Sequence, residues 1–268
     1  MPILHLAVLA LVQGVTEFLP ISSSGHLVLV PALTGWPDQG LMIDVAVHVG
    51  TLGAVMLYFW RDLGAMALGL GRLISGRGDP GARLAGYLAL ATLPALLAGF
   101  ILNRHYPGGF RSLEVIAWTT LGFGVLLFIS DKLGMTVRRI EHLRLGDALI
   151  IGLAQVLALI PGTSRSGITM TAARFLGLER KEAARFSMLL SIPVIIGAGG
   201  LKGWDLYKAG DAQLTGDAFF AAGFSFAAAL LTLAALMAWL RRYSFTPFVV
   251  YRVLLGVFLL AIVYGWTG

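Results

Sequence analysis

Six stretches of the sequence, at 42–60, 84–103, 112–130, 186–201, 218–240 and 246–266, are apolar nearly throughout. About 20 such residues carry a helix across a bilayer core. Hydrocarbon offers the backbone no hydrogen bonds, so a run of this kind folds as a helix that satisfies its own N–H and C=O groups. Pro94 and Pro193 fall inside two of the runs and are expected to kink them. Composition agrees: of 268 residues, 57% are hydrophobic and 13% charged, against about 25% charged in soluble domains. An all-α polytopic membrane protein is the expected class.

Two further apolar regions do not fit a simple span. One runs from Ile3 to Leu19, breaks at Pro20, passes through "ISSSGH" and resumes to Trp36. The other runs from Ala148 to Ile160, breaks at Pro161, passes through "GTSRSG" and resumes to Leu178. Apolar pieces of about 10–14 residues are usually re-entrant or buried. Non-helical backbone at membrane depth is tolerated only inside protein or beside a watery cavity. Both regions are therefore read as re-entrant helix–loop–helix hairpins.

The hinges look like copies. "QGVTEFLPISSSG" begins at Gln13 and "QVLALIPGTSRSG" at Gln155, and Pro20 and Pro161 lie 141 residues apart. Each half of a single membrane domain, 1–133 and 134–268, is then one hairpin plus three spans. Three is odd, so the second half lies upside down. That is an inverted-topology repeat, whose broken segments meet near the midplane and form the site.

The hinges carry the chemistry. Gln13 and Glu17, four apart, share a helix face, and an intramembrane carboxylate is costly enough to suggest function. Ser22, Ser23 and Ser24 precede a short helix that begins near Gly25, with His26 directly after. Serine caps helices well, and helix N-termini suit anions such as phosphate. The second hinge supplies Thr163, Ser164, Arg165, Ser166 and Gly167. Arg165 keeps its charge, so it needs an anionic partner: a ligand phosphate, or Glu17 in an ion pair joining the halves. Leu159 stands where the first half has Glu17. This division of carboxylate and cation suits phosphoryl chemistry, which needs donors on phosphate oxygens and a group to move a proton. Asp44 and His48 could line the same cavity. Arg252, inside the last span after Tyr251, is expected to be structural.

The net charge of +6 is read as membrane orientation rather than nucleic-acid binding. Threading the hairpins and spans puts fourteen of the 20 basic residues on one side. Four (Arg104, Arg111, Lys202 and Lys208) fall on the other, and Arg165 and Arg252 lie within the membrane. The positive-inside rule makes the rich side cytoplasmic and both termini external. Cysteine is absent, which excludes disulfides and thiolate metal sites. The N-terminal run has no basic n-region or small-residue cleavage site and is not read as a removable signal.

"VQGVTEFLPISSSGHLVL" and "LALIPGTSRSGITMTAARFLGL" resemble the two signature regions of the undecaprenyl pyrophosphate phosphatase family, also called BacA or UppP. The resemblance continues through "VHVGTLGAVMLYFWRD", "EAARFSMLLSIPVIIGAG" and "FTPFVVYRVLLG". It implies a bacterial plasma-membrane hydrolase that converts undecaprenyl pyrophosphate to undecaprenyl phosphate, recycling the carrier lipid for cell-wall synthesis and conferring bacitracin resistance. It implies dependence on Mg²⁺ or Ca²⁺, with Glu17 as a metal ligand, and leaves a homodimer possible. Some members have Glu where this chain has Gln13, which places more of the role on Glu17. The implied catalytic residues are Glu17, His26, Arg165 and Ser23. Gln13, Ser22, Ser24, Gly25, Thr163, Ser164, Ser166 and Gly167 would hold the diphosphate. His26, Ser23 and water stay open as nucleophile. The outer face is the expected mouth of the site. A polyprenyl-phosphate transporter or flippase is the competing class, and a purely structural scaffold is a further rival.

Overall fold

The computed structural model describes residues 2–36, 40–105, 112–135, 137–208 and 216–265, with the side chains of 32–33, 201–203 and 205–208 set aside. Among the described residues the architecture is all helical: α1 (Ile3–Thr16), α2 (Ser23–Thr34), α3 (Gly40–Tyr58), α4 (Trp60–Ile74), α5 (Pro80–His105), α6 (Leu113–Leu133), α7 (Leu145–Val156), α8 (Arg165–Phe175), α9 (Arg180–Lys208), α10 (Gly216–Trp239) and α11 (Thr246–Val263). Six are long and apolar enough to cross a bilayer: α3, α5, α6, the Arg180–Gly200 part of α9, α10 and α11. The protein is a multi-pass membrane protein. Arg111 and the end of the last expected span at Trp266 lie outside the described residues, as do the side chains of Lys202 and Lys208.

Two elements differ from the sequence expectation. Helix α9 begins six residues before its apolar run, because its charges are paired. Arg180 Nε meets Asp131 Oδ1 at 2.6 Å, and Arg185 pairs with Asp62 and with Glu182 at 3.3 Å. Helix α4 was not anticipated. It follows α3 after one residue and is too short to span. Trp60, Leu70 and Ile74 are exposed on one side, Arg61 and Arg72 project from another, and Met66 and Gly69 are buried. This is the pattern of a helix lying along a membrane interface. Pro94 and Pro193 lie inside α5 and α9.

Small residues bring the long helices together. A Cβ on Gly50 of α3 would stand 2.2 Å from Ala222 O of α10, and one on Gly14 of α1 would stand 2.7 Å from Ala228 Cβ. Without a hydrophobic driving force between helices in lipid, such close backbone approach supplies the packing. The pairings follow a pattern. Helix α1 packs on α10, and α7 packs on α5. The first helix of each short pair thus rests on the second long helix of the other half. Likewise α3 meets α10 and α9 meets α5, while α6 and α11 pair with each other.

One end of the bundle gathers a set of ion pairs. Asp131 at the end of α6 accepts from Arg180 and from the Phe245 N–H before α11, and lies 3.5 Å from Arg174 Nε of α8. Arg138 holds Asp147 at 2.5 Å, and Arg83 Nη2 donates to Glu141 O at 3.2 Å. The α3–α5, α6–α7, α8–α9 and α10–α11 turns therefore meet at the end that carries the basic-rich segments.

Candidate active site at the two hinges

Each short helix pair breaks at a serine held in an unusual backbone conformation. Ser22 has φ 76° and ψ 94°; Ser164 has φ 71° and ψ 114°. They are the two non-glycine residues with positive φ among the described residues. Such positions cost energy and cluster at functional sites. Both serines cap the helix that follows. Ser22 Oγ accepts from the Gly25 N–H at 3.3 Å and Ser164 Oγ from the Gly167 N–H at 3.1 Å. Each also lies near the hydroxyl two residues on, Ser24 at 3.3 Å and Ser166 at 3.1 Å. The caps leave the first amides of α2 and α8, those of Ser23 and Ser24 and of Arg165 and Ser166, outside the helices' own ladders.

This register sets Ser23 against Arg165. Each is the first residue of its helix, where sequence had placed the start of the first near Gly25. Both reach Glu17. Ser23 Oγ donates to Glu17 Oε2 at 2.6 Å, Gln13 Nε2 donates to the same oxygen at 3.0 Å, and Arg165 Nη2 donates to Oε1 at 3.4 Å. Arg165 is itself held by Nη1 donating to Ser187 O at 3.0 Å. Of the two anionic partners open to Arg165, the ion pair with Glu17 is present. Glu17 is 8% exposed, so its charge depends on these donors rather than on water.

The hinges touch elsewhere. Ser166 Oγ donates to Leu19 O at 2.8 Å, and Thr119 Oγ1 of α6 donates to Pro161 O at 2.6 Å. Arg252 lies between them, fully buried. It donates to Pro20 O of the first hinge, to Gly162 O and Thr163 O of the second, and to Thr119 O and Thr120 O, all at 3.0–3.3 Å. The structural role expected of Arg252 is thus to clamp both breaks, and its partners are carbonyls rather than a carboxylate.

His26 stands one turn beyond Ser23, bonded elsewhere than to Glu17. Nδ1 lies 2.6 Å from Ser22 O and Nε2 lies 2.6 Å from Tyr251 Oη. Among the candidate anion contacts, Ser24 is exposed, while Thr163, Ser166 and Gly167 are buried. The Thr163 hydroxyl and the Gln13 amide oxygen are buried and unpartnered. His48 Nδ1 lies 2.7 Å from Asp44 O on α3. Sequence reading passed over Tyr251 and Ser187. Tyr251 had one signal, a phenol beside the arginine of the last span.

A carboxylate bonded to a hydroxyl, with an arginine on its other oxygen, is the arrangement of a nucleophile, a base and a group that binds anionic oxygens. No three His, Cys, Asp or Glu side chains cluster to cage a metal among the described residues. A hard cation takes oxygen ligands, and Mg²⁺ is typically held by one or two carboxylates together with substrate phosphates. Glu17 and the unpartnered Gln13 oxygen fit that smaller demand.

The family model described as bacitracin resistance protein BacA matches residues 6–258. Undecaprenyl-diphosphatase 1 of Rhodospirillum rubrum is 58% identical over 98% of this chain and 96% of its own. Undecaprenyl-diphosphatase of Ruegeria pomeroyi is 56% identical over 99% and 100%. That of Alteromonas mediterranea is 48% identical over 99% and 100%.

Proposed function

The chain belongs to the BacA family of bacitracin resistance proteins, and from that premise we propose that it is a membrane hydrolase cleaving the phosphoanhydride bond of undecaprenyl diphosphate. The products are undecaprenyl phosphate, returned to cell-wall synthesis, and inorganic phosphate. The observation that carries the reading is Glu17 held between Ser23 and Arg165, one from each hinge.

Ser23 is the nucleophile. The 2.6 Å bond to Glu17 supports it, because a carboxylate acceptor at that distance can take the hydroxyl proton as Oγ attacks. Oγ bonds to the terminal phosphorus, the anhydride bond breaks, and undecaprenyl phosphate leaves with the electron pair. Water then cleaves the phosphoserine. Arg165 turns from Glu17 to the diphosphate, whose oxygens its planar fork matches. Ser24 is exposed at the approach, Ser22 and Thr163 lie buried behind it, and the first amides of α2 and α8 serve as anion donors. His26 moves protons rather than attacking, since each of its ring nitrogens already has a partner. A divalent cation would be held by Glu17 and Gln13 together with the substrate's phosphates, and would supply charge neutralisation.

The matching caps and exchanged helix pairings support an inverted repeat of halves 1–133 and 134–268, with the prenyl chain along lipid-facing helices. The charged end is cytoplasmic by the positive-inside rule, with both termini outside and the site open to the outer face. The test is release of inorganic phosphate from undecaprenyl diphosphate by purified protein in detergent, where no gradient exists. A flippase or transporter would release none.

A further inference from the structure

The His26–Tyr251 contact has a chemical consequence. A backbone carbonyl can only accept, so the 2.6 Å contact with Ser22 O puts the proton of a neutral His26 on Nδ1. Nε2 then carries the lone pair, and Tyr251 Oη at 2.6 Å must donate to it. The two rings lie nearly parallel, 13° apart, with centroids at 5.7 Å. Tyr251 comes from α11, 225 residues along the chain from His26, and its backbone is anchored by the neighbouring Arg252 and its five carbonyl bonds.

We propose that Tyr251 is a positioning residue of the reaction: it fixes His26 in the Nδ1–H tautomer, aims its ring, and keeps Nε2 as the atom that gains and loses the proton. A phenol suits this task because it can reverse. It donates to Nε2 while His26 is neutral and accepts from Nε2–H once His26 is protonated, so neither state leaves a hydrogen bond unmade. A phenylalanine would hold the ring by packing alone. The same contact disfavours a phosphohistidine: Nδ1 is committed to the Ser22 carbonyl, and a P–N bond at Nε2 would displace the Tyr251 hydroxyl, whereas a proton there keeps it as acceptor. Fixing the tautomer through the second nitrogen is how proteins commonly set imidazole chemistry.

The proposal rests on the hydrolase reading, and its test separates the two. Full-length protein labelled with ¹⁵N-histidine is purified in detergent, and the His26 signals are identified by their loss in His26→Ala. Wild type should show Nδ1 protonated and Nε2 as a hydrogen-bonded acceptor. In Tyr251→Phe the Nε2 resonance should move to that of a free lone pair. On undecaprenyl diphosphate, Tyr251→Phe should lower kcat roughly 10–100-fold with KM little changed, the scale for losing a group that orients a reacting one. His26→Ala/Tyr251→Phe should lose no more than His26→Ala, because Tyr251 acts through His26. An Nε2–H tautomer in wild type, wild-type kcat in folded Tyr251→Phe, or a further loss in the double variant would each overturn the proposal. Should Tyr251→Phe fail to fold, the wild-type Nε2 resonance decides: one at the position of a lone pair with no donor would overturn the proposal. Absence of phosphate release by wild type would instead sink the hydrolase reading, leaving the tautomer measurement to judge the placement of Tyr251.

Discussion

Ser23 and Arg165 occupy the same position in their hinges, the first residue after the capping serine, and bond opposite oxygens of Glu17. Ser23 Oγ lies 2.6 Å from Oε2 and Arg165 Nη2 lies 3.4 Å from Oε1. A hydroxyl and a cation at matched places thus share one carboxylate, which the second half lacks. The hinges are alike in backbone and different in chemistry, and the activity is assigned to that difference.

Removing any of these groups should abolish most turnover without unfolding the protein. Glu17→Gln, Ser23→Ala, His26→Ala and Arg165→Ala are each expected to lose about 10²–10⁴-fold in kcat/KM, the range for an oriented proton-transfer group. Arg165→Lys should fail substantially as well, because an ammonium does not reproduce the guanidinium fork. Phosphate release with melting curves recorded in parallel checks this. Wild-type turnover in folded Ser23→Ala would remove Ser23 as nucleophile.

Arg252 should act on stability rather than chemistry alone. Arg252→Met leaves Pro20 O and Thr163 O unpaired, while Gly162 O keeps Thr120 Oγ1 and the Thr119 and Thr120 carbonyls keep the ladder of α6; a buried acceptor left unpaired costs about 1–3 kcal/mol. A loss above ~3 kcal/mol is expected, seen as a lower melting temperature in detergent. Arg252→Lys should recover part of it. Unchanged melting in Arg252→Met would refute the clamp.

The capping serines should discriminate glycine from alanine. Ser→Ala at an N-cap costs about 0.5–2 kcal/mol and Ser→Gly only a few tenths; the φ of 76° at Ser22 and 71° at Ser164 favours glycine further. Thermal stability should therefore fall in the order wild type, Gly, Ala at both positions. Alanine equal to or above glycine would contradict the backbone geometry.

Chelation should stop turnover, and Mg²⁺ or Ca²⁺ should restore it. Glu17→Asp should require more cation for half-maximal activity if Glu17 holds it with the phosphates. Full activity after exhaustive chelation would exclude the cation.

The chain has no cysteine, so single cysteines report sidedness directly. Ser24→Cys should react with a membrane-impermeant thiol reagent in intact cells, and Arg77→Cys only after the inner face is exposed; both positions are exposed in the structure. Thr163, an obvious partner position, is fully buried and would not report. The reverse labelling pattern would invert the assignment.

Hydrocarbon solvent let the sequence alone settle the class and most spans, because an apolar run of that length has no other way to satisfy its backbone. The two polar breaks were visible for the same reason, since the runs of hydroxyls that follow Pro20 and Pro161 are costly in lipid. Glu17 and Arg165 stood out by that cost. Helix α4 was missed because its apolar residues run on from α3 and only its basic face sets it apart. Which atoms meet was a tertiary matter. Glu17 and Arg165 are 148 positions apart, and His26 and Tyr251 are 225 apart. The bonds of Glu17 to Arg165 and of His26 to Tyr251 depend on how α2, α8 and α11 pack through close backbone contacts. No local pattern encodes that packing, because helix association in lipid turns on shape at a few small residues rather than on hydrophobicity.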